Sequence, residues 1–233
     1  MRRAAEVFVL EERALHSPFV EKVWRAYSEP EEGFISVAAT HWEIVVCRLR
    51  DRPYVTVRGP ETRATIVPIP QDAEFFGVQF RRGAFMPDLP PSRLVDDALT
   101  LPGASRNSFW LHGAAWEFPS FDNVDAFVER LVRQGMLVRD PVVVAALHGD
   151  ADDRSERSVQ RRVLQATGLT RDTIRQIERA ERAVALIERG RSLSETAGLC
   201  GYADQAHLTR SLKRFAGQTP GQIARAGERP TEG

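Results

Sequence analysis

Between residues 205 and 214 the chain sets out Gln205, His207, Thr209, Arg210, Lys213 and Arg214 around an apolar series, Leu208, Leu212 and Phe215. The apolar three stand at i, i+4 and i+7, the spacing of one buried stripe on a helix, so the polar six are left on its other surfaces. Amide, imidazole, hydroxyl and guanidinium groups near a helix N-terminus offer donors and acceptors on arms long enough to reach base edges in a major groove. Lys213 and Arg214, one turn further on, carry charge suited to phosphate. Upstream, Arg157, Gln160 and Arg161 occupy the outer face of a segment whose Val159 and Val163 point inward. The competing reading of these patterns is a pair of solvated amphipathic helices. The chemistry on offer is recognition rather than bond making, because the sequence lacks a nucleophile elbow, a phosphate loop and a metal-ligand cluster.

Helices must present these groups, and the flanking residues supply their starts and stops. Ser192 with Glu195 three residues on reads as a capping box. Leu193, Thr196, Ala197 and Cys200 then face inward before Gly201 ends that helix. Tyr202-Ala203-Asp204 is a tight turn, and Asp204 caps the next helix, Gln205 to Phe215. Two short helices joined so briefly form a helix-turn-helix. A second unit is expected from a short helix over Pro141 to Leu147 and another capped by Ser155 and closed by Gly168. A longer helix, Thr170 to Gly190, with Ile174, Ile177, Ala180, Ala183, Val184 and Ile187 along one side, would tie the units together. On one rigid connector they could read successive major grooves on a single face of a duplex.

The run Ser192-Leu193-x-Glu195-x-Ala197-x-x-x-Gly201-Tyr202-x-Asp204-Gln205-x-His207-Leu208-x-Arg210-x-x-Lys213-x-Phe215-x-Gly217-x-Thr219-Pro220 resembles the signature of the AraC family of transcription regulators. Ser155-x-Arg157-x-x-Gln160-Arg161 followed by Gly168-Leu169-Thr170 is similar to that family's first unit, and Arg179 to Ile187 to its connecting helix. The resemblance spans roughly residues 140 to 225. It implies double-stranded DNA as partner, with base-edge contacts from Arg157, Gln160 and Arg161 in the first unit and from Gln205, His207, Thr209 and Arg210 in the second. Ala206 falls at a contacting position and can offer its methyl to thymine. The first unit departs from the pattern at Asp150-Ala151-Asp152-Asp153-Arg154, an acidic turn where a compact apolar one is usual.

The first half of the chain reads differently. Short runs rich in β-branched and aromatic residues, Glu43 to Leu49, Pro53 to Arg58, Thr65 to Pro68 and Phe75 to Phe80, are strands punctuated by Gly, Pro and Asp. They suggest a small sandwich or barrel, and the repeated prolines Pro87, Pro90, Pro91 and Pro102 mark a change of architecture after them. After Pro119 the period turns helical, with Asp122 or Asn123 as cap, Phe127, Leu131 and Val132 at helical spacing and Gly135 as stop. The expected class is α+β: a small β-barrel or cupin-like domain over residues 1–120, then an all-α domain over 121–233 with two helix-turn-helix units. The boundary falls between 120 and 140. His41-x-Glu43 and Gly77 to Ala84 resemble segments of one N-terminal sensor class of the same family, which implies a small-molecule effector and a homodimer.

With 233 residues, 42% hydrophobic and 27% charged, the chain has the makings of a packed globular protein. Its formal net charge of zero conceals a slightly basic second half, since from Asp140 onward 15 Arg and Lys face 13 Asp and Glu. Cys47 and Cys200 form neither a zinc spacing nor a disulfide framework, and no stretch has the apolar length of a membrane span, so a cytoplasmic setting is expected. No cofactor is expected. His41, Glu43 and His112 lack an established metal-ligand spacing, and ordinary structural roles suit them better. Trp42, Trp110 and Trp116 read either as core or as the lining of an effector pocket; Arg81 and Arg82 read either as a solvated pair or as a hold on an anion. The leading function is an effector-modulated, sequence-specific DNA-binding regulator, not an enzyme, with RNA polymerase as a further partner. The alternatives are a metal-dependent barrel enzyme with accessory helices, or a regulator whose barrel only dimerises.

Overall fold

The computed structural model describes residues 8–28, 33–50, 52–150 and 155–227. Its first region is built on thirteen strands among the described residues: β1 (Phe8–Arg13), β2 (Val20–Ser28), β3 (Phe34–Ser36), β4 (Glu43–Leu49), β5 (Arg52–Arg58), β6 (Thr65–Val67), β7 (Ala73–Phe80), β8 (Ala84–Phe85), β9 (Ala98–Leu101), β10 (Gly103–Ser105), β11 (Ser108–Leu111), β12 (Ala114–Glu117) and β13 (Val138–Arg139). Six of them make one antiparallel sheet in the order β1-β2-β7-β4-β5-β9. Alternation along these strands sends Ile44, Val46, Val55, Val57, Val78 and Phe80 into one core. On the opposite face Trp24 lies flat over Gly77, so close that a Cβ at Gly77 would come within 2.1 Å of the indole.

The α+β class holds, but the barrel does not close. Among the described residues β1 and β9 stand at the two edges of the sheet and pair with no strand beyond their inner neighbours. Closure needs a continuous ladder, and here β9 runs for four residues before Pro102 turns the chain out. The carbonyl of Pro102 accepts from the Trp110 amide at 2.7 Å. The chain then builds a separate three-stranded sheet, β10-β11-β12. Its Phe109, Leu111 and Trp116 cover the same core face, together with a helix, α1 (Val124–Arg133), whose Val124, Phe127, Val128 and Leu131 are buried there. Asn123 does not cap α1 through its side chain. Its Oδ1 instead accepts from the Ser120 amide and its Nδ2 donates to Phe118 O, tying down the preceding loop.

The second region is helical: α2 (Pro141–His148), α3 (Glu156–Thr167), α4 (Arg171–Glu188), α5 (Leu193–Leu199), α6 (Gln205–Phe215) and α7 (Pro220–Gly227). Side-chain caps set their starts as expected from Ser155, Ser192 and Asp204, and Asp140 and Thr170 do the same for α2 and α4. The Ser192 box is half made. Its Oγ accepts from the Glu195 amide at 3.2 Å, while the Glu195 carboxylate turns to Arg191 Nη1 at 2.8 Å. The acidic turn after α2 lies largely at residues 151–154, outside the described residues. None of the described helices is long and apolar enough to cross a membrane.

Two cores divide these helices, and α4 serves both. Val142, Val143, Val159, Val163, Ile174 and Ile177 pack around the first pair of helices. Ala183, Ile187, Ala197, Tyr202, Leu208, Leu212 and Ile223 pack around the second. The strand-rich region reaches into the former through Ala38, with Phe85 and Val95 packed against it. It also grips the second pair by main chain: the amides of Ala64 and Ala38 donate to the carbonyls of Arg214 and Phe215, each at 2.8 Å.

Candidate nucleic-acid interface

α3 and α6 each enter their turn from a short preceding helix, and each buries one stripe while exposing the rest. In α3, Val159, Val163, Ala166 and Thr167 are buried, whereas Arg157, Gln160 and Arg161 are exposed. Gln160 Nε2 donates to Glu156 Oε1 at 3.2 Å, and Arg171 Nη2 donates to that same oxygen at 3.1 Å. In α6, Leu208, Ser211, Leu212 and Phe215 are buried. Gln205, Ala206, Arg210, Lys213 and Arg214 are exposed, and His207 and Thr209 are half-buried.

Two of the α6 groups are already engaged. The Thr209 hydroxyl donates to Gln205 O at 2.8 Å, a bond back to the preceding turn that fixes its rotamer. The His207 ring stands edge-on to Tyr202 with centroids 5.2 Å apart. Tyr202 is the hub of this turn: its hydroxyl shares a 2.9 Å hydrogen bond with Ser211 Oγ, and the Arg179 guanidinium lies 4.5 Å over its ring. The sequence places Tyr202 in the turn without this positioning role; an aromatic residue with a polar tip two positions before the capping Asp204 was the available signal. Lys213 and Arg214 sit in the last turn of α6, where cations complement the helix dipole. Arg214 also folds its guanidinium over Phe215, 4.8 Å from the ring centre, beside the strand-rich region.

Asp140 does similar work at the first unit. Its Oδ1 accepts from the amides of Val142 and Val143 and its Oδ2 from Arg162 Nε at 2.8 Å, which joins the start of α2 to α3. Gly168, at φ +74°, closes α3 against Pro91 and Val95, where a Cβ would meet Pro91 O at 2.9 Å.

The first-half candidates do not gather into one site. Glu43 accepts from Trp24 Nε1 at 3.1 Å and pairs with Arg58 at 3.5 Å, while His112 Nδ1 lies 3.4 Å from Asp88. Burial holds the His41 imidazole below its usual range against the opposing pull of Glu43. Trp42 stacks on Phe80 at 4.0 Å and Trp116 is packed on Phe127, so both are core, whereas Trp110 is exposed. Arg81 pairs with Glu21, and Arg82 reaches across to Glu178 of α4. An open groove of ≈ 540 Å³ lies elsewhere, lined by Arg48, Pro53, Arg106, Asn107 and Phe118 among others.

Two capped helix pairs hung on a common long helix define a double helix-turn-helix architecture. Residues 153–226 match the family model described as a helix-turn-helix domain. Over 79 residues it is 42% identical to the HTH-type transcriptional regulator VirS of Mycobacterium tuberculosis, in strain CDC 1551 and in strain H37Rv. That stretch is 34% of this chain and covers 23% of the length of those relatives. Among solved structures, ToxT from Vibrio cholerae at 1.65 Å resolution is similar with a TM-score of 0.41 and 8% identity, covering 93% of this chain and 98% of that one. An apo ToxT variant gives 0.39 at 8% identity, covering 97% and 99%.

Proposed function

We propose that this chain is a sequence-specific DNA-binding transcription regulator that works in the cytoplasm on double-stranded DNA. The observation that carries the reading is the presentation of polar, largely exposed faces by α3 and α6, two helices fixed to one connector by separate cores. Arg157, Gln160 and Arg161 read bases from the first unit, and Gln205, His207, Thr209 and Arg210 from the second. Lys213 and Arg214 hold phosphate. Selection of fragments from a random-sequence duplex pool by the full chain tests this directly: a recovered motif with two half-sites about one helical turn apart supports it. Recovery of unrelated sequences would refute it.

The division into a sensor and a reading unit belongs to the same proposal, with its boundary drawn near Asp140, because α1 shares the core of the sheet. The sensor takes a small-molecule effector, and its groove, with Arg48 and Arg106 on its wall, has the size of such a site. A second copy of the chain and RNA polymerase are the remaining partners. Thermal stabilisation by one member of a metabolite panel, lost in Arg106→Ala, is the expected result; no stabilisation by any member would leave the sensor without its ligand.

A further inference from the structure

The connecting helix carries a pattern that the two reading helices do not use. Arg175, Arg182 and Arg189 recur at i, i+7 and i+14 along α4, and all three are exposed. Seven residues are close to two helical turns, so these side chains form one stripe about 21 Å long, on the side away from buried Ile177, Ala180 and Ala183. Arg175 and Arg182 lie four and three residues from Arg179, and are its neighbours on the helix surface. Arg179 itself rests over Tyr202, whose ring meets His207 in the first turn of α6. One flank of the stripe therefore borders the N-terminal end of the second reading helix. Of the acids of α4, Glu178 holds Arg82 of the strand-rich region, Glu181 and Glu188 border a cleft lined by Val37 and Ala38 of that region, and Asp172 accepts from Gln176 Nε2 at 2.5 Å. Among the described residues neither Arg175, Arg182 nor Arg189 has a carboxylate partner. That sets them apart from Arg162, Arg171 and Arg191 nearby, which are paired.

We infer that α4 is itself a DNA-binding element, with Arg175 and Arg182 as phosphate contacts and Arg189 extending the strip. The inference rests on the regulator reading above and adds a third point of attachment to it. Two helices in successive major grooves leave the intervening backbone facing the element that joins them, and a strip of arginines without carboxylate partners complements its charge. Contacts of this kind carry no sequence information; they add affinity that salt erodes.

The test measures binding of the full chain to fragments that the wild type recovers from a random-sequence duplex pool, over a series of salt concentrations. Arg175→Gln/Arg182→Gln is expected to flatten the slope of log K against log salt by about 2, with the order of preference among fragments unchanged. Arg175→Lys/Arg182→Lys keeps both charges and is expected to keep the slope, which separates lost charge from lost folding. Arg52→Gln/Arg133→Gln, two exposed cations of the strand-rich region, is the control expected to leave it alone. An unchanged slope in the glutamine pair, or an equal flattening in the control pair, overturns the role of α4 and leaves the regulator reading standing. If the wild type recovers no preferred fragment, the regulator reading falls and takes this inference with it.

Discussion

Arg210 and Lys213 are exposed on α6, three residues apart, yet their loss should read differently. Arg210→Ala is expected to cost about 1–3 kcal/mol on a recovered site and to relax preference at one base pair, as for a guanidinium bound to a guanine edge. Lys213→Ala should weaken all duplexes alike and reduce the salt slope by about 1. A binding matrix for each variant checks both, and identical matrices with uniform weakening would deny Arg210 a base. Asp140 is the residue whose loss should be felt in folding. Asp140→Ala removes the acceptor for two α2 amides and for Arg162, and an N-cap deletion costs about 0.5–2 kcal/mol before the ion pair is counted. Asp140→Asn keeps the cap and loses the charge, so denaturant unfolding should rank it between the wild type and the alanine form.

At the level of elements, the helices were legible because their signals are local. Ser155, Ser192 and Asp204 cap where their types and positions said they would, and the stripe Leu208, Leu212, Phe215 is buried. Leu212→Ala should therefore cost about 2–5 kcal/mol and lower the melting temperature, whatever the DNA does; a change within 0.5 kcal/mol by the criterion of surface sites would contradict its burial. Strands β4, β5, β6 and β7 were legible from their β-branched and aromatic runs. β2 was not, and its geometry explains why: a register shift between Val20 and Lys22 puts Val20 and Val23 on one face although they stand three apart, and Ala26 is buried on the other, which spoils the period of two. β9 to β12 were hidden by their brevity among turns. Closure of a barrel is a property of the edges, and nothing in the pattern of a single strand declares whether β1 and β9 will meet. The candidate bases-reading residues were visible in advance as a helical face; Tyr202, Arg179 and Asp140, which position them, act through contacts between segments far apart in sequence.

For the molecule as a whole, the strand-rich region is interlocked with the helices rather than tethered to them. Ala38 belongs to the core of the first helix pair, and Gly217, at φ +69°, fits beneath Ile35 and Ala64, where a Cβ would lie 2.7 Å from Ile35 Cγ2. Gly217→Val, strained in backbone and in contact, is expected to destabilise the full chain by about 1–3 kcal/mol. Calorimetry of the wild type should show a single transition, since the two regions share buried surface. Two well-separated transitions would mean that this interlock contributes little.

The hold on the tail of α6 is made by the amides of Ala38 and Ala64, which every residue but proline possesses. At Ala64 the fastening thus persists through a change of side chain, while Ala38 is held as well by its place in the helical core, and a scan by alanine would pass over both bonds in silence. A proline at residue 64 would remove one of the two bonds that fasten the last turn of the reading helix to the strand-rich region, although it would stand more than a hundred residues away along the chain.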